Sequence, residues 1–368
     1  MNGLERMMTA INLGVPDRVP HFELAYNEAP IINIARHFTD DLPEINYVQK
    51  MDIEDKVKLF EAILLLVKEL DVDGISLRIL SKTEPVDDIR VKDDWGVTFQ
   101  LSPAGDAMVV DGPIKDESDL KNYTPPKLTE MDMLSVSYGA SRYKGEKAIF
   151  LVTRCPFRMS WNLLGGTSRL LLYYRRKPHL VHDIARIVTD YLLEGIDMAV
   201  KLGVDVIALD GDLAYDSGPF MSPVQFQEFV MPYYREVVER SHSFGVKIVK
   251  HTDGDFWKLL PDFIDAGFDG IHPIQPQCMD IGEVKQKVGS KVSIMGNIDC
   301  MYTLTRGSTQ DVEEEVKRTI EVASPGGGYI ITSSNSIHPD VKPENYIAMV
   351  KAAHTYGVYD GDRVKKVE

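Results

Sequence analysis

The sequence predicts a parallel (β/α)8 barrel, the TIM-barrel fold, with an embedded β-hairpin insertion. From residue 146 onward, short apolar segments of strand character alternate with helical segments, a pattern typical of parallel strands joined by helical crossovers. With the strands before residue 146, the total is about eight, which favours a closed barrel over an open doubly wound sheet. Polar residues directly follow the apolar segments, at positions that share the catalytic C-terminal rim of a barrel.

The elements follow one another as one domain over residues 1–368. A first helix is predicted at about 3–13, an extended segment at 19–26, a long charged helix at 53–70 and an apolar strand at 71–80. Short strands, turns and a Pro-Pro pair indicate an insertion at about 83–130. The regular part then predicts strands within 147–155, 204–212, 246–255, 268–276, 291–299 and 327–335. Helices are predicted at 159–201, with a break near Lys177-Pro178, and at 223–244, 256–266, 280–288, 309–323 and 343–356.

The composition and charge of the chain narrow its possible partners and its location. The 368 residues carry a formal net charge of −15, which argues against nucleic acid or an anionic membrane as the main partner, because both require basic patches. Three cysteines are too few for a disulfide framework. The N-terminal segment lacks the apolar core of a signal peptide, and no apolar run reaches the ~18 residues of a membrane span. We therefore expect a cytoplasmic protein.

The segment at residues 251–255, His-Thr-Asp-Gly-Asp, is the sharpest polar cluster. His251 and Asp253 follow an apolar strand and lie two positions apart, so on extended backbone both side chains point to the same side. This arrangement suits two ligands of one metal, or a carboxylate-oriented histidine that acts as general acid or base. The simpler alternative is that both residues cap the helix that follows.

A second acidic pair ends the preceding strand. Asp210 and Asp212 also share a face, and their mutual repulsion is expected to raise one carboxyl pKa. The alternative is a turn in which the aspartates bond their own backbone. We interpret Asp210, together with Tyr215 and His251, as the candidate catalytic residues.

Further candidates come from other strand ends. Arg154 could bind an anionic group or pair with the rim carboxylates. Cys278 and Cys300 could in principle join His251 in a Cys2His zinc site, but their spacing is not a compact motif, and buried apolar roles are favoured for them. The candidate substrate-binding residues are Glu23, Arg154, Trp161, Asp212, Gln275 and Asn335.

Seven stretches of the chain share a family resemblance. They are LERMMTAINLGVPDRVP at 4–20, DDWGVTFQ at 93–100, PFRMSWNLLGG at 156–166, DGDLAYDSGPFMSP at 210–223, KHTDGDFWKLLPDFIDAGFDGIHPIQP at 250–276, GNID at 296–299 and SNSIHPDVKPEN at 334–345. Together they resemble the uroporphyrinogen decarboxylase superfamily, which also contains cobalamin-dependent methyltransferases. The resemblance implies a (β/α)8 barrel with its site at the C-terminal mouth.

One departure from the family pattern concerns substrate charge. Porphyrinogen decarboxylases resemble one another in an Arg-x-x-Gly-Arg-Tyr segment that receives substrate carboxylates. Here the corresponding segment, HFELAYNEAP, contains Glu23 and Glu28 and no arginine. A substrate with eight carboxylates suits an acidic protein poorly. A uroporphyrinogen decarboxylase-type lyase is therefore the alternative function.

The other departure concerns metal ligands. The thiol methyltransferases of the superfamily resemble one another in His-x-Cys and Gly-Cys-Gly segments that hold zinc. In this chain the corresponding residues are His251-x-Asp253 and Ser334-Asn335-Ser336. Nitrogen and oxygen ligands favour an oxygen substrate and a harder cation. The resemblance therefore implies the branch that takes methyl groups from O-methyl compounds, such as aryl methyl ethers, and transfers them to a corrinoid protein.

The expected reaction is methyl transfer from an ether oxygen to Co(I). Because an alkoxide or phenoxide leaves poorly, the oxygen must be protonated or bound by a metal. His251 is the candidate for this role, alone or with a zinc ion shared with Asp253. Asp210 or Glu23 would orient His251 or complete the site. Tyr215 and Trp161 would contact the aromatic ring of the substrate. No Asp-x-His-x-x-Gly motif is present, so the cobalamin is expected on a partner corrinoid protein. A barrel that only binds a small molecule is the non-enzymatic alternative.

Overall fold

A parallel sheet of seven strands forms the centre of the protein in a computed structural model that describes residues 1–102 and 107–365. Each strand pairs in parallel with the next one along the chain. The strands are Gly74–Leu77, Ala148–Arg154, Val206–Asp210, Lys247–His251, Gly270–His272, Ser293–Met295 and Tyr329–Ile330. Every strand lies within a segment predicted from the sequence, and the order confirms the predicted barrel-type fold.

The N-terminal extended segment closes the sheet into a barrel. Phe22 N donates to Ile331 O at 3.2 Å, and Ile331 N donates to Pro20 O at 2.9 Å. On the other side, Asp73 N donates to His21 O at 2.9 Å. Residues 20–22 thus connect the last strand to the first and serve as an irregular eighth strand.

The barrel interior is apolar and follows the two-residue period of a strand. Phe150 and its alternate neighbours Ala148 and Val152 pack inside, whereas Ile149 and Leu151 pack outward against the helices. Side chains of the helix Gly3–Ile11 fill the N-terminal end of this interior. That end is therefore closed, and the polar residues lie at the opposite, C-terminal mouth.

Helices surround the barrel. The predicted helix 159–201 is interrupted at Lys177-Pro178, as the sequence predicts, and also at Gly165-Gly166. The predicted helix 256–266 is helical only from Leu260. Within the described residues, no helix is both long and apolar enough to cross a membrane. The helices after the first are Glu28–Ala35, Ile53–Glu69, Glu117–Asn122, Leu134–Tyr143, Pro156–Leu164, Thr167–Arg176, Pro178–Leu202, Pro223–Phe229, Met231–Ser243, Leu260–Ala266, Ile281–Val288, Thr303–Arg306, Thr309–Ala323 and Pro343–Tyr356, with a 3-10 turn at Glu130–Met133.

The insertion is larger than the single hairpin expected from the sequence. It forms an antiparallel sheet of four strands, which are Thr83–Pro85, Arg90–Asp93, Thr98–Leu101 and Ala107–Asp111. Residues 103–106 of the predicted insertion lie outside the described residues. Phe99 is buried in this sheet and contacts the side chain of Arg154 at the barrel mouth. The insertion therefore forms part of the wall around the site. The described part of the chain also contains two small hairpins, one pairing Ala214–Tyr215 with Gly218–Pro219 and one pairing Tyr359–Asp360 with Arg363–Val364.

Candidate active site

Two neighbouring strands bring the predicted polar cluster together. His251 lies opposite Asp210 in the register of strands Lys247–His251 and Val206–Asp210. His251 Nε2 is 3.7 Å from both Asp210 Oδ1 and Asp212 Oδ1, and 3.9 Å from Asp253 Oδ1. The histidine side chain is only 10% exposed, so these charges interact in a partly dry environment, where Coulomb interactions are strong.

Glycines shape the two Asp-Gly-Asp turns. Gly211 has a φ of 149° and Gly254 a φ of 83°, values that favour residues without a Cβ. A Cβ at Gly211 would lie 2.5 Å from Cys155 Sγ, and a Cβ at Gly254 would lie 2.6 Å from Tyr215 O. Close packing at the two glycines therefore directs the flanking carboxylates toward the mouth.

His272, which the sequence analysis missed, supports the histidine of the cluster. Its Nδ1 is 2.8 Å from His251 Nδ1, and one of the two nitrogens must donate in this bond. Burial lowers the pKa of His272 well below its usual range, so its imidazole is neutral. The available sequence signal was its place at the end of the apolar strand Gly270–His272. His272 fixes the orientation of the His251 ring.

Three side chains of the cluster could hold a metal ion. The ligand atoms of Asp212, His251 and Asp253 lie within 4.8 Å of one another, so Asp212 joins the pair expected from the sequence. Asp253 Oδ2 accepts a hydrogen bond from Asn335 at 2.6 Å, while its buried Oδ1 has no hydrogen-bond partner among the described residues. Burial raises the pKa of Asp253 to about 7. His251 opposes this rise, and the nearby carboxylate of Asp212 adds to it. An imidazole with two carboxylates fits Zn²⁺ or a harder divalent cation.

A small cavity of about 40 Å³ opens beside the cluster. Burial alone would raise the pKa of Asp210, but His251, Arg78 and Lys250 hold it at about 2, so the carboxylate is ionised at neutral pH. Arg78, which the sequence analysis also missed, comes from the turn after the strand Gly74–Leu77. The lining residues are Leu24, Ala25, Arg78, Asp210, His251, His272 and Ser336.

Residues 33–356 match the family model of uroporphyrinogen decarboxylase. This chain belongs to the uroporphyrinogen decarboxylase family. Two proteins named uroporphyrinogen decarboxylase are similar to this chain. The one from Pseudomonas fluorescens is 32% identical over 195 residues, which are 51% of each chain. The one from Hydrogenovibrio crunogenus is 23% identical over 279 residues, which are 72% of this chain and 76% of that protein. A solved structure, "methyltransferase from Methanosarcina mazei", shares the fold with a TM-score of 0.73 at 17% identity, covering 97% of this chain and 99% of that one.

Glu23, a predicted substrate contact in this family member, does not line the cavity. It is 2% exposed, and its carboxylate accepts hydrogen bonds from Ser333 N at 3.0 Å and Ser333 Oγ at 2.6 Å. Burial raises the pKa of Glu23 to about 8 despite these bonds. Leu24 and Ala25 line the cavity in its place, so Glu23 supports the rim from behind and does not touch the cavity.

Gln275 and Asn335 reach the cluster but bond to protein groups. Gln275 Oε1 accepts from Gly254 N at 3.0 Å, and Asn335 donates to Asp253. Both side chains therefore hold the rim loops. The two cysteines lie apart from the three-residue cluster: Cys278 donates to Asp216 at 3.5 Å, and Cys300 Sγ is 3.2 Å from Ser334 Oγ.

The aromatic and arginine candidates lie outside the lining of the cavity and contact other side chains. Tyr215 is 60% exposed and packs edge-on against Phe220 at 4.3 Å. Trp161 is buried, with the guanidinium carbon of Arg158 4.3 Å from its ring centre. Neither aromatic side chain lines the cavity itself. The guanidinium of Arg154 lies over the Phe99 ring at 5.4 Å.

Proposed function

We propose that this enzyme transfers a methyl group from an O-methyl compound, in the first instance an aryl methyl ether, to the Co(I) corrinoid of a partner protein. The observation that supports this proposal is the composition of the cluster. Asp212, His251 and Asp253 offer nitrogen and oxygen ligands, and both positions at which thiolates would activate a sulfur substrate are occupied by other residues. Such a ligand set favours an oxygen substrate.

The residues of the mouth can assist departure of the ether oxygen. With no cation bound, His251 Nε2 donates a proton to the leaving oxygen, because it is the polar atom of the ring that faces the carboxylates and the cavity. Asp210 lies 3.7 Å from His251 Nε2, and His272 holds the orientation of the His251 ring through Nδ1. A bound Zn²⁺ would supply Lewis-acid polarisation of the same oxygen, with Asp212, His251 and Asp253 as the residues that hold it.

The size of the cavity supports a small reacting group. Its volume of about 40 Å³ is far below the range of about 300–1,000 Å³ typical of pockets for drug-sized ligands. Leu24 and Ala25 provide apolar contact, and the polar atoms lie on the opposite side around His251. This space suits the methoxy group of a donor whose ring lies at the open mouth better than it suits a tetrapyrrole.

Methyl transfer can be measured directly. The enzyme is mixed with reduced Co(I) cobalamin or a corrinoid carrier and a panel of methoxyaromatics, and conversion to the methylated corrinoid is followed by absorbance. We expect conversion with the wild type and at least about 100-fold slower conversion with the double variant Asp212→Asn/Asp253→Asn, as for loss of a metal site or its acid–base partners. Failure of every donor with active corrinoid would contradict the proposal.

Decarboxylation is the second candidate, because similar proteins are named uroporphyrinogen decarboxylase and because arginines line the mouth. The absence of arginine from residues 21–30 does not leave the site without cations: Arg78, Arg154 and Arg158 reach it from other elements. The enzyme is incubated with uroporphyrinogen and the products are separated by chromatography. Formation of coproporphyrinogen, with no methylated corrinoid from any donor, would favour the decarboxylase.

A further inference from the structure

We propose that Arg78, Arg154 and Arg158 form an anion subsite at the barrel mouth, and that this arginine subsite binds a carboxylate carried by the methyl donor. The inference rests on the proposed function for the identity of the donor, but anion binding itself does not require turnover. The donor class it implies is an aryl methyl ether that also bears one carboxylate.

Three different elements bring the arginines together. Arg78 follows the strand Gly74–Leu77, Arg154 ends the strand Ala148–Arg154, and Arg158 lies in the first turn of the helix Pro156–Leu164. Burial, followed by repulsion from Arg158 and Arg78, lowers the pKa of Arg154 against the attraction of Asp210 and Asp93. Holding like charges this close costs free energy unless an anion is near them.

The three guanidinium groups also have hydrogen-bonding capacity that the protein does not use. Arg78 is 3.7 Å from Asp210 and Arg158 is 4.0 Å from Asp212, too far for hydrogen bonds. A guanidinium has five N–H donors, yet no side-chain hydrogen bond from these three arginines is found within residues 1–102 and 107–365. Arg6 at the opposite end of the barrel differs, because it donates to Asp17 and to Asp73, each at 2.6 Å.

Capture of an anion by this protein requires local cations. Arg78 and Arg158 lie beside the carboxylates of Asp210 and Asp212, at distances of 3.7 and 4.0 Å. The whole chain carries −15 and repels anions at long range, so a local group of cations is needed to capture a negatively charged ligand. Guanidinium groups bind carboxylates in a planar, two-bond geometry that Lys cannot match.

The subsite adjoins the cavity of the proposed chemistry. Of its three residues, Arg78 lines that cavity together with His251, so a carboxylate held at Arg78 would place the methyl donor beside the histidine. Phe99 of the insertion supports the guanidinium of Arg154, and Trp161 supports that of Arg158. Aromatic faces hold guanidinium groups in this way without using their N–H donors.

Equilibrium binding of two matched probes tests the subsite. 4-Methoxybenzoate and the uncharged 4-methoxybenzamide are titrated into wild type, Arg78→Gln and Arg158→Gln by calorimetry. We expect the wild type to bind the carboxylate at least about tenfold more tightly than the amide, and each variant to lose roughly 10- to 100-fold in carboxylate affinity, the range for hydrogen bonds to a charged group. Amide affinity should stay unchanged in the variants.

Two further variants complete the test. Arg78→Lys should recover only part of the carboxylate affinity, since it restores charge without the two-bond geometry. Arg186→Gln, in an ion pair with Glu236 on the outer helices, should bind both probes as the wild type does. Equal affinity of the wild type for the two probes, or no binding of either at millimolar concentration, would overturn the subsite. Arginine-dependent carboxylate binding without methyl transfer from any donor would leave the subsite standing and refute the proposed function alone.

Discussion

Replacing His251 by alanine removes the ring on which the proposed chemistry depends. The ring is almost fully buried, and its Nδ1 is bonded to His272 at 2.8 Å. Its loss leaves a buried nitrogen of His272 unpartnered, which costs about 1–3 kcal/mol of unfolding free energy. We therefore expect a stability loss of about 2 kcal/mol and a fall in Tm of a few degrees. Turnover should fall by at least about 100-fold, as for a lost general acid or metal ligand.

Thermal melting by calorimetry and methylation of the corrinoid measure the two effects on the same preparations. His242→Ala provides the matched control, since His242 lies on an outer helix, bonded to Asp269 at 2.9 Å, and its removal should leave turnover unchanged. Full turnover in His251→Ala would refute the reasoning, and so would an equal loss in His242→Ala. A cooperative melt in both variants would show that the fold is intact.

Three other substitutions test separate parts of the site. Gly211→Ala should lower the free energy of unfolding, measured in urea, by more than Gly245→Ala does. Both glycines have a positive φ, but only the Cβ at Gly211 would meet another side chain, at 2.5 Å from Cys155 Sγ. Equal losses in the two variants would contradict the close packing at Gly211. Burial raises the pKa of Glu23 to about 8 in the folded protein. Between about pH 4.5 and 8 the folded state therefore binds more protons than the unfolded state, and stability should fall as the pH rises through that window. Glu23→Gln should flatten this decline in Tm, whereas an unchanged pH profile would show that the carboxyl titrates normally. Asp253→Cys should shift the metal content of the purified protein toward zinc over magnesium or manganese, since a thiolate is a softer ligand; an unchanged metal preference would remove Asp253 from the ligand set.

Elements with strong local signals matched the structure closely. The helix Thr309–Ala323 was predicted with the same bounds, because Ser308 and Asp311 form a capping box at its start and the apolar positions have helical spacing. The number of strands in the insertion was underestimated. Its four short strands between residues 83 and 111 are stabilised by pairing with one another, and a local sequence pattern does not identify such partners. Irregular residues 20–22 close the barrel through hydrogen bonds to two distant strands, which the sequence pattern likewise does not show.

The sequence by itself determined the fold class, the rim position of the polar residues and the pairing of His251 with Asp253, because strand periodicity is a local property of two residues per repeat. Only the tertiary structure decided which side chains meet across the mouth. His272 and Arg78 lie at the ends of strands that are far apart along the chain, and both reach the cavity because the barrel closes. Glu23 lies two residues after His21, which helps to close the barrel, but its carboxylate is hydrogen-bonded to Ser333 away from the cavity. Hydrogen-bond register between distant strands sets these positions, and that register depends on the whole closed sheet and not on any single segment.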